Sequence, residues 1–363
     1  MATRKKVLFI VPYPLREAPS QRFRFEQYFA VLKANSIDFD VQAFLPQTLW
    51  RVFYGPGNVL KKTLVILGGF WRRIVCVTRV GHYDFVFIHR EAAPIGPPIF
   101  EWLTAKVFRR KIIYDYDDAI WLSDVKSETR LNRLIKNRGK VSTICALSYR
   151  VSCGNSYLAA YAGTYNTSVV VNPTTIDTDG LHVKNRVPLS GKEDHQLTIG
   201  WTGSHSTLKF LEAIEFVLQR IEQAYPAVNF VVIADKAPKL AIRRMTFVHW
   251  KEESEIADLM TIDIGIMPLA DDEWSKGKCG FKILQYMALS IPSVSSAVGA
   301  NIDIVSHGDN GCLCSTEDEW VRSIRMLIED ELLRRRFGEA GRETVVKRYS
   351  VNSNTGTFLA LFE

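Results

Sequence analysis

The sequence predicts an α/β protein built from two doubly wound parallel sheets in tandem. Three observations carry that prediction. Short apolar runs alternate with longer amphipathic ones, as a parallel sheet wrapped by helices requires. The alternation runs once and restarts near residue 197. The chain has 363 residues and is 47% hydrophobic, enough for two cores and long for one.

The first strand is VLFIV (7–11), an apolar run ended by Pro12. It is too short for the core of a signal peptide, which needs roughly 7–15 apolar residues. DVQAF (40–44), FVFIH (85–89), KIIYDY (111–116) and SVVVN (168–172) follow as strands, with helices over 21–34, 97–109 and 154–162. After the restart the strands are LTIGW (197–201), NFVVIA (229–234), MTFVHW (245–250), IDIGIM (262–267) and PSVSS (292–296). The helices between them are 207–224, 253–260, 281–289 and 317–329, and the helical pattern resumes over 334–348. Residues 173–196 are polar, with two prolines and two glycines, and read as a linker. A ligand in such a fold belongs beyond the carboxyl ends of the strands.

Charge is unevenly placed. Residues 1–172 carry 25 Lys/Arg against 12 Asp/Glu, and residues 173–363 carry 21 against 27. The first half therefore favours an anionic partner. The acidic second half and the lack of a recognition motif speak against nucleic acid. Residues 41–83 contain no Asp or Glu and interleave Arg51, Lys61, Lys62, Arg72, Arg73 and Arg79 with Trp50, Phe53, Tyr54, Phe70 and Trp71. That mixture points to an anionic membrane surface met through residues 49–80, the alternative being a partly buried helix with basic flanks. No uncharged run reaches the roughly 18 residues of a spanning helix. The expected location is cytoplasmic, peripheral on the inner face of the membrane. Six scattered cysteines without a CxxC pair suit a reducing compartment and offer no metal set.

Two strand-to-helix junctions in the second half carry the chemistry. In IGWTGSHSTLKF (199–210) a strand ends, Gly203 allows close backbone approach, and Ser204 and its neighbours offer donors before a helix opens with Lys209 in its first turn. In KGKCGFKILQYMAL (276–289) the loop residues Gly277, Lys278, Cys279 and Gly280 precede a helix with Phe281 and Lys282 in its first turn. A cation there opposes the helix dipole by about 0.3–1 kcal/mol, so a lysine is easier to explain with an anion opposite it. The alternative is a basic loop capping an ordinary helix. Lys282 and Gln285 are three apart and project on one face, one suited to phosphate and the other to a sugar hydroxyl. Neither GxxxxGK[ST] nor GxGxxG is present, which excludes a P-loop and an ordinary dinucleotide site.

These junctions resemble those of glycosyltransferase family 4, the retaining GT-B enzymes. KGKCGFKILQYMALSIPSV (276–294) lies without a gap over that family's EGFGIVLLEAMAxGxPVV, and VGANIDIVSHGDNGCL (298–313) is similar to its continuation. GSHSTLK places Gly203 and Lys209 on the family's G-R-x4-K, with Ser204 on the arginine. The family's two glutamates fall on Gly277 and Gln285, the chain's main departure. The resemblance implies an N-terminal acceptor-side domain (1–180), a C-terminal nucleotide-sugar domain (181–345) and a tail helix (346–363) returning to the first domain, with a cleft between the domains. It implies a UDP-, GDP- or TDP-sugar donor held by Gly203, Ser204, Lys209, Lys278, Cys279, Gly280, Phe281, Lys282 and Gln285. No metal or cofactor is implied. The acceptor would be a glycan or a lipid-linked acceptor of cell-surface polysaccharide or glycolipid synthesis. A non-catalytic sugar-nucleotide or glycan binder on the same fold is the alternative.

In the first half, IIYDYDDAIW (112–121) ends a strand in Asp115, Asp117 and Asp118. Asp117 and Asp118 are the candidate catalytic carboxylates, the alternatives being helix caps or a metal-binding DxD. Ser20, Gln21 and Arg22, with Arg24 beside them, and His89 and Arg90 are the acceptor-side candidates.

Overall fold

The computed structural model describes residues 4–54, 59–123, 129, 132, 135–183 and 196–363. The chain divides into two units, residues 1–174 with 354–363, and residues 175–353. Each is built on a six-stranded sheet whose named pairs are all parallel.

In the first unit the strands are β1 (Lys5–Val11), β2 (Ile37–Ala43), β3 (Phe85–His89), β4 (Lys111–Tyr116), β5 (Arg150–Cys153) and β6 (Val169–Val171). Their order is β2-β1-β3-β4-β5-β6, so the winding reverses between β1 and β3. Every residue of β3 is buried, as an unbroken apolar run predicts for a central parallel strand. β5 went unpredicted, because four residues opening on a half-buried arginine make too short a run. The core is aromatic. Phe9 sits 4.8 Å from Phe87 and 5.3 Å from Phe25, ring centre to ring centre. The last ten residues close this core: Phe358 stacks on Tyr28 at 4.2 Å, and Phe362 lies 5.9 Å from Phe85.

The predicted helix 21–34 is two short helices, Pro19–Arg22 and Phe29–Ala34. Between them Arg24 and Phe25 turn inward and are buried. A helix over Val59–Thr78 crosses the unit. Arg73 and Phe70, counted from sequence among the surface basic and aromatic residues, face inward instead. Arg73 is fully buried and donates to Val11 O, Gln42 O and Ala92 O, tying together the carboxyl ends of β1, β2 and β3. Burial pushes its pKa down to about 10. Phe70 packs edge-on against Phe44.

In the second unit the strands are β7 (Thr198–Gly203), β8 (Asn229–Ala234), β9 (Met245–His249), β10 (Ile264–Met267), β11 (Ser293–Ser296) and β12 (Cys312–Cys314). Their order is β12-β11-β10-β7-β8-β9, with the reversal between β7 and β10. Trp201, Leu211, Val217, Ile221 and Phe230 lead the core on one face of this sheet. The helix Glu317–Glu329 starts where the sequence places it because Thr316 and Glu319 form a reciprocal capping box.

Of the predicted linker, residues 184–195 lie outside the described residues. The part before them is packed: Thr175 and Ile176 are fully buried, and Ile176 bonds to Tyr349 and Val351 through its backbone. Its polar composition misled because Thr175 and Thr178 are buried alongside the apolar residues.

Candidate functional site

The second unit's reversal point opens a crevice by its own register. β7 and β10 pair only through Ile199–Ile264 and Gly200–Gly265. Both strands continue past that point, so their carboxyl ends separate with unpaired edges. Tyr286 fills the gap. Its phenol oxygen accepts from Thr202 N–H at 3.0 Å and donates to Ile266 O at 3.4 Å. The ring lies flat on Gly265, where any Cβ would come within 2.4 Å of it. Burial pushes the phenol's ionisation up, so it keeps the proton it donates. Tyr286→Phe is expected to cost about 1–3 kcal/mol, because Thr202 N–H is buried and loses its acceptor. Urea unfolding measures this, and an unchanged midpoint would contradict the bridge.

Two loops border this crevice. After β7, Gly203 packs against the Trp201 ring and Thr207, and Ser204 accepts from Thr207 through its carbonyl while its hydroxyl meets Ser206 at 2.9 Å. Lys209 is exposed in the first turn of the helix Leu208–Glu212, with its ammonium 5.1 Å from the Phe210 ring centre. After β10, Asp272 caps the short helix Glu273–Lys276 by accepting from Ser275 N–H. The Gly277 and Lys278 N–H groups close that turn on Trp274 O and Ser275 O. Lys278 lies over the Trp274 ring at 5.0 Å, and Cys279 is half-buried beside Gly277 O.

Gly280 then adopts φ +66°, the left-handed region, as the N-cap of the helix Phe281–Ala288. A Cβ there would be strained and would press within 2.2 Å of Ile304. Leu284 donates the first intrahelical bond to Gly280 O, so the N–H groups of the first turn, Phe281 and Lys282 among them, point out of the N-terminus. No acidic residue occupies that turn. Lys282 sits in it with its ammonium 5.4 Å from the Trp201 ring centre, which sets the helix N-terminus beside β7. Two buried polar atoms beside the loop, Ser275 Oγ and Asn301 Oδ1, have no hydrogen-bond partner among the described residues.

Gln285 does not share a ligand-facing surface with Lys282. It is 2% exposed and its amide donates to Glu255 Oε1 at 3.3 Å, which also accepts from Trp250 Nε1. The three-residue spacing was right about angle, but the helix is buried on all faces from Ile283 to Ala288, so that angle points inward. Tyr286, Glu255 and Asn301 escaped the sequence reading. The signal for Tyr286 was Gly265 in a buried strand, a gap that only a large neighbour fills.

In the first unit the candidate carboxylates are brought together with Arg90. The guanidinium Nη2 donates to Asp117 at 2.7 Å and to Asp118 at 2.7 Å. Arg90 itself holds φ +59°, an uncommon backbone state for arginine. The Coulombic pull of Asp117 and Asp118 outweighs burial and raises the Arg90 pKa, which fixes its charge.

Asp115, His89, Gln21 and Arg24 are elsewhere. Asp115 is fully buried, bound by Arg24 and by His89 Nδ1 at 2.8 Å, and accepts from Ser152 Oγ at 2.6 Å. It is not half of an exposed DxD pair. His89 is fully buried because β3 pairs it directly with Asp115, so it does not face an acceptor. Gln21 is also buried and locks the loop after β1 by donating to Tyr13 O at 3.1 Å. Arg22 is 9% exposed and lies over Phe23 at 5.0 Å, while Ser20 is half-buried.

Residues 196–330 match the family model described as glycosyl transferases group 1. The N-acetyl-alpha-D-glucosaminyl L-malate synthase of Bacillus anthracis is 28% identical over 100 residues, which is 27% of this chain and 25% of that protein. The match thus spans about a quarter of the curated relative. HepE of Anabaena in complex with UDP superposes with a TM-score of 0.67 at 15% identity, over 98% of each chain. A glycosyltransferase from Rickettsia africae gives 0.71 at 12% identity, over 99% of this chain and 98% of that one. Sucrose-phosphate synthase from Thermosynechococcus elongatus gives 0.69 at 12%, with the same coverage. At these identities the structures establish the fold, two parallel sheets with helices as in GT-B glycosyltransferases. The matched residues contain both loops of the crevice.

Proposed function

We propose that the chain is a retaining glycosyltransferase that moves a hexose from a nucleoside diphosphate sugar to a glycan or lipid-linked acceptor, in cell-surface polysaccharide or glycolipid synthesis. The observation that carries this is the crevice at the β7/β10 reversal, with the Phe281–Ala288 N-terminus and Lys282 beside it. When the bond from the sugar's anomeric carbon to the diphosphate breaks, negative charge gathers on the departing phosphate. Lys282 and the outward N–H groups of the first turn stabilise that charge, with Lys209 on the neighbouring loop. Asp117 and Asp118, held by Arg90, accept hydrogen bonds from sugar hydroxyls. UDP and UDP-glucose complexes of HepE support the donor class. A lipid-linked acceptor fits a protein that works on the inner face of a membrane.

A second reading, a sugar-nucleotide binder without turnover, is favoured by one observation. Gly277 has no side chain, and Gln285 is tied to Glu255, so neither glutamate position of the related family supplies a carboxylate to the sugar. Release of sugar from the donor, even slowly, separates the two readings. Thermal shift with UDP-, GDP- and TDP-sugars tests what they share. One donor should stabilise the chain, by about 2.7 kcal/mol at a hundredfold excess over Kd, and no shift with any of them would reject the donor site.

A further inference from the structure

The helix Val59–Thr78 is buried along one face and bare along the other. Val65, Gly69, Arg73, Cys76 and Val77 are buried. Gly69 lets the helix lie on the Phe44 ring. On the far side Leu60, Leu64, Leu67, Trp71 and Ile74 are 68%, 60%, 58%, 66% and 48% exposed. Their spacing of four, three, four and three puts them in one stripe. Soluble proteins scatter exposed apolar residues singly, and a contiguous stripe marks an interaction surface. The helix that follows β3, Ile99–Trp102, packs beside this one through Phe70 and Phe100 at 6.1 Å, and it leaves Ile99 and Trp102 exposed too.

Charge selects the occupant. Residues 41–83 contain no Asp or Glu. Lys61 at the start of the helix and Arg79 just past its end are exposed, as are Lys106 and Arg109 after the neighbouring helix. A second copy would oppose cation to cation. An anionic bilayer offers phosphates to the basic residues and acyl chains to the stripe. No helix of the described residues is long and apolar enough to cross a membrane, so the contact is interfacial.

We propose that this face docks on an anionic lipid surface, with Leu60, Leu64, Leu67 and Trp71 seated below the headgroups and Lys61 and Arg79 at their phosphates. It deepens the lipid-linked-acceptor reading and rests on that reading for its purpose. Lipid binding needs neither donor nor acceptor, so its failure would leave donor binding untouched.

The test is sedimentation of the full chain with phosphatidylcholine vesicles, with and without one-third phosphatidylglycerol. Binding to the anionic vesicles should be at least tenfold tighter and should weaken in 0.5 M salt. The double variant Leu64→Gln/Leu67→Gln, at exposed positions and checked by circular dichroism, should lose at least tenfold. Trp71→Phe should remove the vesicle-induced blue shift of the tryptophan fluorescence. Equal pelleting with both vesicles, or full binding by the double variant, would overturn the assignment. So would a concentration-dependent dimer that the double variant abolishes in a chain that ignores vesicles.

Discussion

Asp115→Ala should destabilise the first unit by about 3–5 kcal/mol, the usual result of removing one partner from a buried ion pair. Arg24 and Asp115 are both fully enclosed, at 1% and 0% exposure. Removing the carboxylate strands the guanidinium in the core and strips acceptors from Ser152 and His89. Arg24 keeps its bond to Asn172 O, which is far from enough to solvate a charge. The double variant Arg24→Met/Asp115→Leu should recover much of the loss, because it removes both charges together. A single variant that unfolds at the wild-type denaturant concentration would refute the pairing.

The same cluster sets a pH dependence. Burial alone would raise the Asp115 pKa, but Arg24 and His89 outweigh it and hold the carboxyl well below its ordinary 3.8. The stabilisation is therefore complete above the unfolded value near 4 and is lost as pH falls below it. Asp115→Ala should flatten the stability curve in that acid range and leave it parallel to wild type at neutral pH.

Lys282→Ala should lower kcat/KM for the donor by about 10²–10³, with affinity and turnover falling together. Removing one preformed donor to a developing oxyanion has that size of effect. The bland alternative gives a different result. If Lys282 only covers Trp201, its removal costs the cation–π contact, about 0.5–1 kcal/mol of stability, and leaves nucleotide binding alone. Calorimetric titration with the donor chosen by thermal shift, alongside initial rates, separates the two. Unchanged binding and turnover would reject the clamp.

The sequence disclosed the strands whose burial is complete, such as VLFIV and FVFIH, because a strand enclosed on both faces needs no polar alternation. It marked Gly280 and Lys282 as candidates because of a glycine just before a helix and a cation at the wrong end of a dipole; the left-handed φ of Gly280 came only with the structure. It misjudged residues whose surroundings come from far along the chain. Arg24 read as part of an acceptor-side group and Arg73 as surface charge, yet their partners are Asp115, 91 residues on, and the ends of three strands. Gln285 failed for a related reason, since a helical spacing gives a direction and not what lies there. The exposed stripe of the Val59–Thr78 helix was visible in composition only as basic and aromatic residues. Which of them face outward is set by Gly69 and Arg73, whose packing fixes the helix's rotation.

A nucleoside diphosphate should bind at the β7/β10 reversal of the second unit. Hydrogen exchange of backbone amides, with and without saturating nucleotide, tests it most directly. Exchange should slow in residues 203–209 and 278–284, with the latter effect lost in Lys282→Ala. Protection confined to residues 111–118, or no protection in either loop with nucleotide bound, would contradict it.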